Sequence, residues 1–299
     1  MRLIESAEKI VNKCLRKRDK LIGKSVYESV LKSDFEYGLY QGKDRDEKYL
    51  ISMASYQKRY DALKISLKSI LLQEVKPDKI IVWLDEDCEI NHIDEELSEL
   101  TKYGVEYRHT SDSLMPHKKY YYAMKEFADY VIITVDDDLV YSRDMLGGLI
   151  KLHKKYPECV CARRVHKILF DENGMIKPYS DWKYEYRFCK KPSDILFATG
   201  GGGTLYPRQC FDSKALDMEE IKKYCPLADD VWLKIHELRM GISVVWNKNS
   251  YVMPYEIPDT QEEALNSINV HKGNNDRYIK ILFQKYPEAA GVAEGVREK

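Results

Sequence analysis

From residue 49 onward, short apolar runs alternate with longer amphipathic ones. Residues 49–52, 79–84, 105–109 and 130–135 are brief and rich in β-branched side chains, which predicts buried strands. Between them, residues 59–73, 93–103 and 117–128 place apolar positions at helical spacing, with Leu63, Leu67, Ile70 and Leu71 on one side of the first. Pro77-Asp78 and Gly104 punctuate the units. Strands and helices alternating with short connections predict a parallel sheet covered on both faces. Beyond residue 139 the pattern loosens. Helices are expected over 145–156, 229–240 (closed by Gly241) and 276–286, with strands over 160–164, 195–198, 204–206 and 242–246. Residues 1–24 form an amphipathic helix by the spacing of Leu3, Ile4, Ala7, Ile10, Val11 and Cys14, and the polar stretch 33–48 reads as a linker. The expected division is 1–48 helix and linker, 49–275 main domain with halves 49–138 and 139–275, and 276–299 helical tail.

Composition narrows the class. With 299 residues, 44% apolar and 32% charged, the chain has the make-up of a soluble globular protein with ample core. A net charge of −1 gives no general attraction to nucleic acid, and no nucleic-acid partner is expected. Twenty-three tyrosines suit half-buried positions or sugar and base binding. The seven cysteines are scattered without CxxC, so neither a zinc site nor a disulfide framework is expected and free thiols in a reducing cytosol are the simplest reading. The chain shows no secretory signal and no apolar stretch long enough to cross a bilayer. The first 24 residues carry eight bases against three acids, so that helix either lies on an anionic membrane surface or packs on the main domain or a partner chain.

Candidate chemistry concentrates where the fourth strand ends. Residues 130–135 run straight into Asp136-Asp137-Asp138. Three carboxylates at the end of a buried strand repel one another, and desolvation raises the cost. A hard divalent cation, Mg2+ or Mn2+, removes that cost and suits a phosphorylated ligand at the carboxyl ends of an α/β sheet. The alternative is a solvated acidic turn. The first half has the size of a nucleotide-binding unit but lacks both GxGxxG after its first strand and GxxxxGK[ST], so it is neither a usual dinucleotide binder nor a P-loop protein.

Four further features have both a chemical and a structural reading. Gly200 to Gly203 permit close approach of a ligand to backbone N–H groups, or form a tight turn. Asp229-Asp230 open a helix, where the dipole favours acids; two are more than one cap needs, and the second suits a general base. His117-Lys118-Lys119 put basic groups at a helix start against the dipole, as a phosphate site would, or as a solvated basic face. His271, in a polar stretch, is either a metal ligand from a C-terminal loop or a surface histidine.

In this order the pieces resemble bacterial glycosyltransferases of the GT-A fold. The likeness is carried by residues 50–59 (LISMASYQKR), 73–84, His117-Lys118-Lys119-Tyr120, the Asp136–Asp138 triplet, residues 200–206 and Ala228-Asp229-Asp230-Val231-Trp232-Leu233, and it spans roughly 49–246. It implies an α/β, GT-A-like (Rossmann-like) mostly parallel sheet flanked by helices. By that resemblance the triplet is a DxD motif, with Asp136 on the ribose side and Asp138 on the metal, Asp137 lying between them at the donor. Ser52, Ser55 and Arg59 meet base and diphosphate, Asp85 is a weaker candidate for base or ribose, and Lys118 or Lys119 adds charge near the phosphates. The glycine run, through Gly201 and Gly202, lies by the donor sugar. Asp230, or less so Asp229, is the base of an inverting reaction, and His271 matches a late metal ligand. The resemblance further implies a nucleotide-diphosphate-sugar donor, Mn2+ or Mg2+, a glycan or lipid-linked acceptor, and work in bacterial surface polysaccharide or lipopolysaccharide assembly. The enzyme would then be cytoplasmic, peripheral on the inner face of the cell membrane if residues 1–24 bind there.

Two rivals stay open at this level. Residues 135–140 also fit the nucleophile motif of haloacid-dehalogenase-type phosphatases, with Asp136 attacking phosphate, although three strand–helix units precede it here. A non-catalytic sugar-binding or scaffold subunit is the other.

Overall fold

The computed structural model describes residues 2–43, 45–85, 95–112, 114–189, 191–247, 253–258, 260 and 273–289. In chain order the elements are α1 (Arg2–Lys32), β1 (Lys48–Ala54), α2 (Tyr60–Leu71), β2 (Lys79–Asp85), α3 (Glu95–Ser98), β3 (Val105–Thr110), α4 (Lys118–Glu126) and β4 (Tyr130–Asp136). There follow β5 (Leu139–Val140), α5 (Met145–Lys155), β6 (Val160–Ala162), β7 (Val165–Lys167), β8 (Leu196–Ala198) and β9 (Thr204–Tyr206). The last are α6 (Met218–Tyr224), α7 (Asp229–Met240), β10 (Val244–Trp246), β11 (Tyr255–Glu256) and α8 (Asn274–Lys285).

A seven-stranded sheet runs β10-β6-β9-β4-β1-β2-β3. The strands β1 to β4 are mutually parallel where they pair, as the alternation predicts. Strand β9 alone runs antiparallel, between β4 and β6, so the sheet is mixed. Both faces are buried, and the pleat sorts the side chains. Ile51, Met53, Val82, Ile133 and Val135 pack with Leu63, Leu67 and Leu149 on one face. Leu50, Ile81, Trp83 and Ile132 pack with Ala123 on the other. Register sets Ala54 beside both Trp83 and Asp136, so β1 and β4 finish level while β2 runs two residues further, to Asp85.

The ends of the chain fold onto this body. Val30, Val26 and Tyr27 of α1 join Ala62, Leu72, Val140 and Ile257 in one apolar cluster. The stretch expected as a linker is irregular but packed. Phe35 and Leu39 lie on the β1–β3 core, and Gly38 donates to the Tyr103 carbonyl at 2.8 Å. Tyr278, Ile279 and Leu282 of α8 pack with α7, whose C-terminus is closed by Gly241 at φ +67°.

Candidate active site

The carboxyl ends of β1, β2 and β4 floor a cavity of about 840 Å3, the size of a ligand pocket. Ser55, Arg59, Asp85, Lys118, Lys119, Asp136, Asp137, Asp138, Gly201, Asp229 and Asp230, which the sequence singles out, all line it. Residues far apart in the chain meet because parallel strands deliver all their carboxyl ends to one edge.

Lys119 is at the centre. Its ammonium lies 2.7 Å from Asp136 Oδ1 and 2.9 Å from Asp229 Oδ2, with only 6% of the residue exposed. Burial opposes its charge, but Asp136, Asp229 and Asp230 outweigh that and hold it protonated well above the ordinary lysine range. The helix that carries it is anchored from behind. His117 Nε2 donates to the Cys225 carbonyl at 2.7 Å, which leaves Nδ1 to accept from the Tyr120 hydroxyl at 2.8 Å. Complete burial pushes His117 down to about 4, so it is a neutral structural peg. Lys118 points elsewhere, to Asp85 Oδ1 at 2.6 Å.

The aspartate triplet divides its contacts. Asp136 meets Lys119, and its backbone N–H donates to the Tyr141 hydroxyl at 2.8 Å, which in turn donates to the Gly201 carbonyl at 2.7 Å. Asp137 Oδ2 accepts from Ser55 Oγ at 2.5 Å. Burial, then the neighbouring Asp138 charge, push Asp137 up to about 7. Arg59 Nη1 lies 2.7 Å from Asp138 Oδ2, yet burial and Asp136 still raise Asp138 above the usual carboxylate range.

The glycines are fitted to these acids. A Cβ on Gly201 would lie 1.9 Å from Asp136 Oδ2, and one on Gly200 would lie 3.0 Å from Asp230 Oδ1. Gly203 takes φ +91°, closing the turn. The Gly200 N–H donates to Asp230 Oδ1 at 2.8 Å. Burial, then Asp229, push Asp230 up to about 7. Asp230 is more exposed to the cavity than Asp229, which is 8% accessible.

Two sequence-based placements change, and a third is untested. Ser52 does not line the cavity: it is fully buried, its hydroxyl donating to the Lys119 carbonyl and accepting from Trp83 Nε1 at 2.8 Å. It braces α4 rather than facing a ligand. Gly202 backs onto Arg164, whose Cβ would be 2.6 Å from an added methyl, instead of the cavity. His271 lies outside the described residues. Conversely, the sequence did not single out Arg164, His166, Tyr179, Tyr184 and Asn275, which line the far wall. Of these, only Tyr184 falls in a distinctive stretch, the aromatic and charged run 182–188.

Among the described residues no three His, Cys, Asp or Glu side chains converge on one ion. Mg2+ and Mn2+ sites at phosphates need only one or two carboxylates, with ligand oxygens supplying the rest. Asp136 and Asp138, two hard-oxygen donors on the cavity floor with the Asp136 charge adding to the cost of ionising Asp138, fit such an ion.

A mixed sheet of this order, with an acid cluster ending its central strand, defines a GT-A-like α/β enzyme. Residues 51–211 match the model of Glycosyl transferase family 2, more than half of the chain. The chain belongs to that family and is a glycosyltransferase. No curated protein sequence matches it. Among solved structures it is similar to the mannosyltransferase PcManGT from Pyrobaculum calidifontis in complex with GDP-Man and Mn2+ (10% identity, 96% of this chain and 85% of that one, TM-score 0.47). It is also similar to S. aureus TarS in complex with UDP (12% identity, 84% and 70%, TM-score 0.48) and with UDP-GlcNAc (15% identity, 74% and 61%, TM-score 0.47). The family match displaces the phosphatase reading of Asp136 and the scaffold reading. Among the described residues no helix is long and apolar enough to cross a membrane.

Proposed function

We propose that this enzyme moves a sugar from a nucleoside-diphosphate sugar to a hydroxyl of a glycan or lipid-linked acceptor, with inversion, in bacterial surface polysaccharide assembly at the inner face of the cell membrane. The observation that carries the reading is the confluence of the Asp136–Asp138 triplet and the Asp229-Asp230 pair in one cavity, with Lys119 between them.

Each residue then has a task. The edge near Asp85 and Lys118, at the end of β2, takes the base and ribose. Arg59 and Lys119 supply positive charge for the diphosphate, and Asp136 and Asp138 would hold a divalent ion, which supplies Lewis-acid stabilisation of the leaving phosphate oxygen when bound. Gly201 leaves room for the Asp136 carboxylate at the edge where the donor sugar would lie. Asp230, open to the cavity and fixed by the Gly200 N–H, takes the proton of the attacking acceptor hydroxyl. A carboxylate raised to about 7 is a competent base at neutral pH, and general-base catalysis contributes roughly 10²–10⁴ in rate. Bonding changes balance: the acceptor oxygen joins the anomeric carbon, the bond to the diphosphate oxygen breaks, and the proton passes to Asp230.

The test uses Asp230→Asn with a panel of nucleotide sugars and Mn2+. We expect kcat to fall roughly 10²–10⁴-fold with nucleotide binding by calorimetry retained. Wild-type product should show an inverted anomeric configuration by NMR. A fully active Asp230→Asn enzyme, or retention at the anomeric carbon, overturns the assignment of the base.

A further inference from the structure

Helix α1 sorts its charges by face. Glu8 and Asp19 turn to the domain, 2.7 Å from Lys183 and 2.6 Å from Arg187, so these acids are neutralised internally. The outward face keeps the bases. Ile10, Lys13, Lys17, Leu21 and Lys24 follow one another at three- and four-residue steps, which places them on a single stripe, and all are exposed. Ile10 is 65% and Leu21 72% accessible, whereas Asp19 and Val30 of the same helix are buried. Among the described residues of α1 the one exposed acid is Glu28, already 3.9 Å from Lys24.

The helix also borders the cavity. Arg16 lines it and pairs with Glu185 at 2.5 Å, and Glu185 and Tyr184 are wall residues too. The outward stripe therefore belongs to a helix that also borders the site.

We propose that the outward stripe of α1 seats on an anionic lipid surface. Lysines flanking isolated Ile and Leu match negatively charged headgroups over a shallow apolar layer. With few apolar residues and no Trp or Phe in the stripe, this contact is reversible and salt-sensitive. It rests on the membrane placement in the proposed function and names the surface responsible, and its test is separate from the reaction because vesicle binding needs no turnover.

The experiment is co-sedimentation of the full chain with vesicles of phosphatidylglycerol mixed with phosphatidylcholine, against pure phosphatidylcholine. Binding is expected only to the anionic vesicles and should be lost in high salt. Each lysine is worth about fivefold, so Lys13→Gln, Lys17→Gln, Lys20→Gln and Lys24→Gln together should weaken binding on the order of a hundredfold or more. Leu21→Glu should weaken it as well. These side chains are exposed, so the circular dichroism and urea midpoint of both variants should match wild type. Equal binding to neutral vesicles, no binding at low salt, or an unaffected quadruple variant overturns the proposal. So does a concentration-dependent dimer in sedimentation that Leu21→Glu dissolves, since the stripe would then be covered by a second copy.

Discussion

At Gly201 one methyl group separates a working site from a blocked one. An added Cβ would overlap Asp136 Oδ2 at 1.9 Å, so the carboxylate must swing away from Lys119. Gly201→Ala should reduce kcat/KM about 100-fold, the scale of an angstrom-level misplacement, with the folded stability little changed. Gly241→Ala is the contrast. Space around it is open but its φ is +67°, so that variant should lose about 1 kcal/mol of stability in urea and keep its activity. The acids and glycines of the site were legible as residue types. Their partners were not. Lys119 reads in sequence as a phosphate binder, while the fold surrounds it with Asp136, Asp229 and Asp230. Ser52 sits in a run that looks ligand-facing, but the pleat turns it toward Trp83 and α4.

Among the elements, β1 to β4 and their helices followed from periodicity because each is a local pattern of apolar positions. The antiparallel insertion of β9 did not. Its direction depends on pairing with β4 and β6, a long-range choice that three short residues cannot announce. The described parts of the predicted linker and of the tail, the latter as far as residue 289, likewise pack on distant partners. Helix α1 offers a test of how such attachment works. Asp19 is 5% exposed, accepting from Arg18 at 2.8 Å and pairing with Arg187, whose side chain is 7% exposed. Asp19→Ala leaves the Arg187 guanidinium buried with Glu185, at 3.9 Å, its one remaining acidic partner among the described residues. The expected loss is about 3 kcal/mol, read from the urea midpoint. No loss would mean that α1 is held by its apolar cluster alone.

For the molecule as a whole, the site acids set a pH dependence with a definite sign. Asp137 is pushed up to about 7 in the folded protein, against an ordinary value of 3.8. Between those values the native state holds a proton that the unfolded chain has released, so this group's contribution to stability falls as pH rises. Buried His117, pushed down to about 4, and His166, pushed down to about 3, act in the opposite direction over part of the same range. The difference between wild type and Asp137→Asn isolates the carboxylate. That difference should favour the variant increasingly from about pH 4 to about pH 7, by at most about 1.4 kcal/mol per pH unit, and then level off. A flat difference would mean that Ser55 and Arg59 already stabilise the ionised form.

Arg59 on Asp138 and Lys119 on Asp136 have one more implication. The resting enzyme is its own counter-ion supply, so a lone manganese ion must displace two tethered cations to gain a foothold. A pyrophosphate changes the contest, because its oxygens give those cations somewhere else to go while completing the ion's shell. Mn2+ alone should therefore barely move the melting temperature, UDP or GDP alone only slightly, and the two together by more than the sum. Such synergy would make ion and nucleotide arrive as a single cargo, sparing the cell an enzyme that soaks up free metal between turnovers.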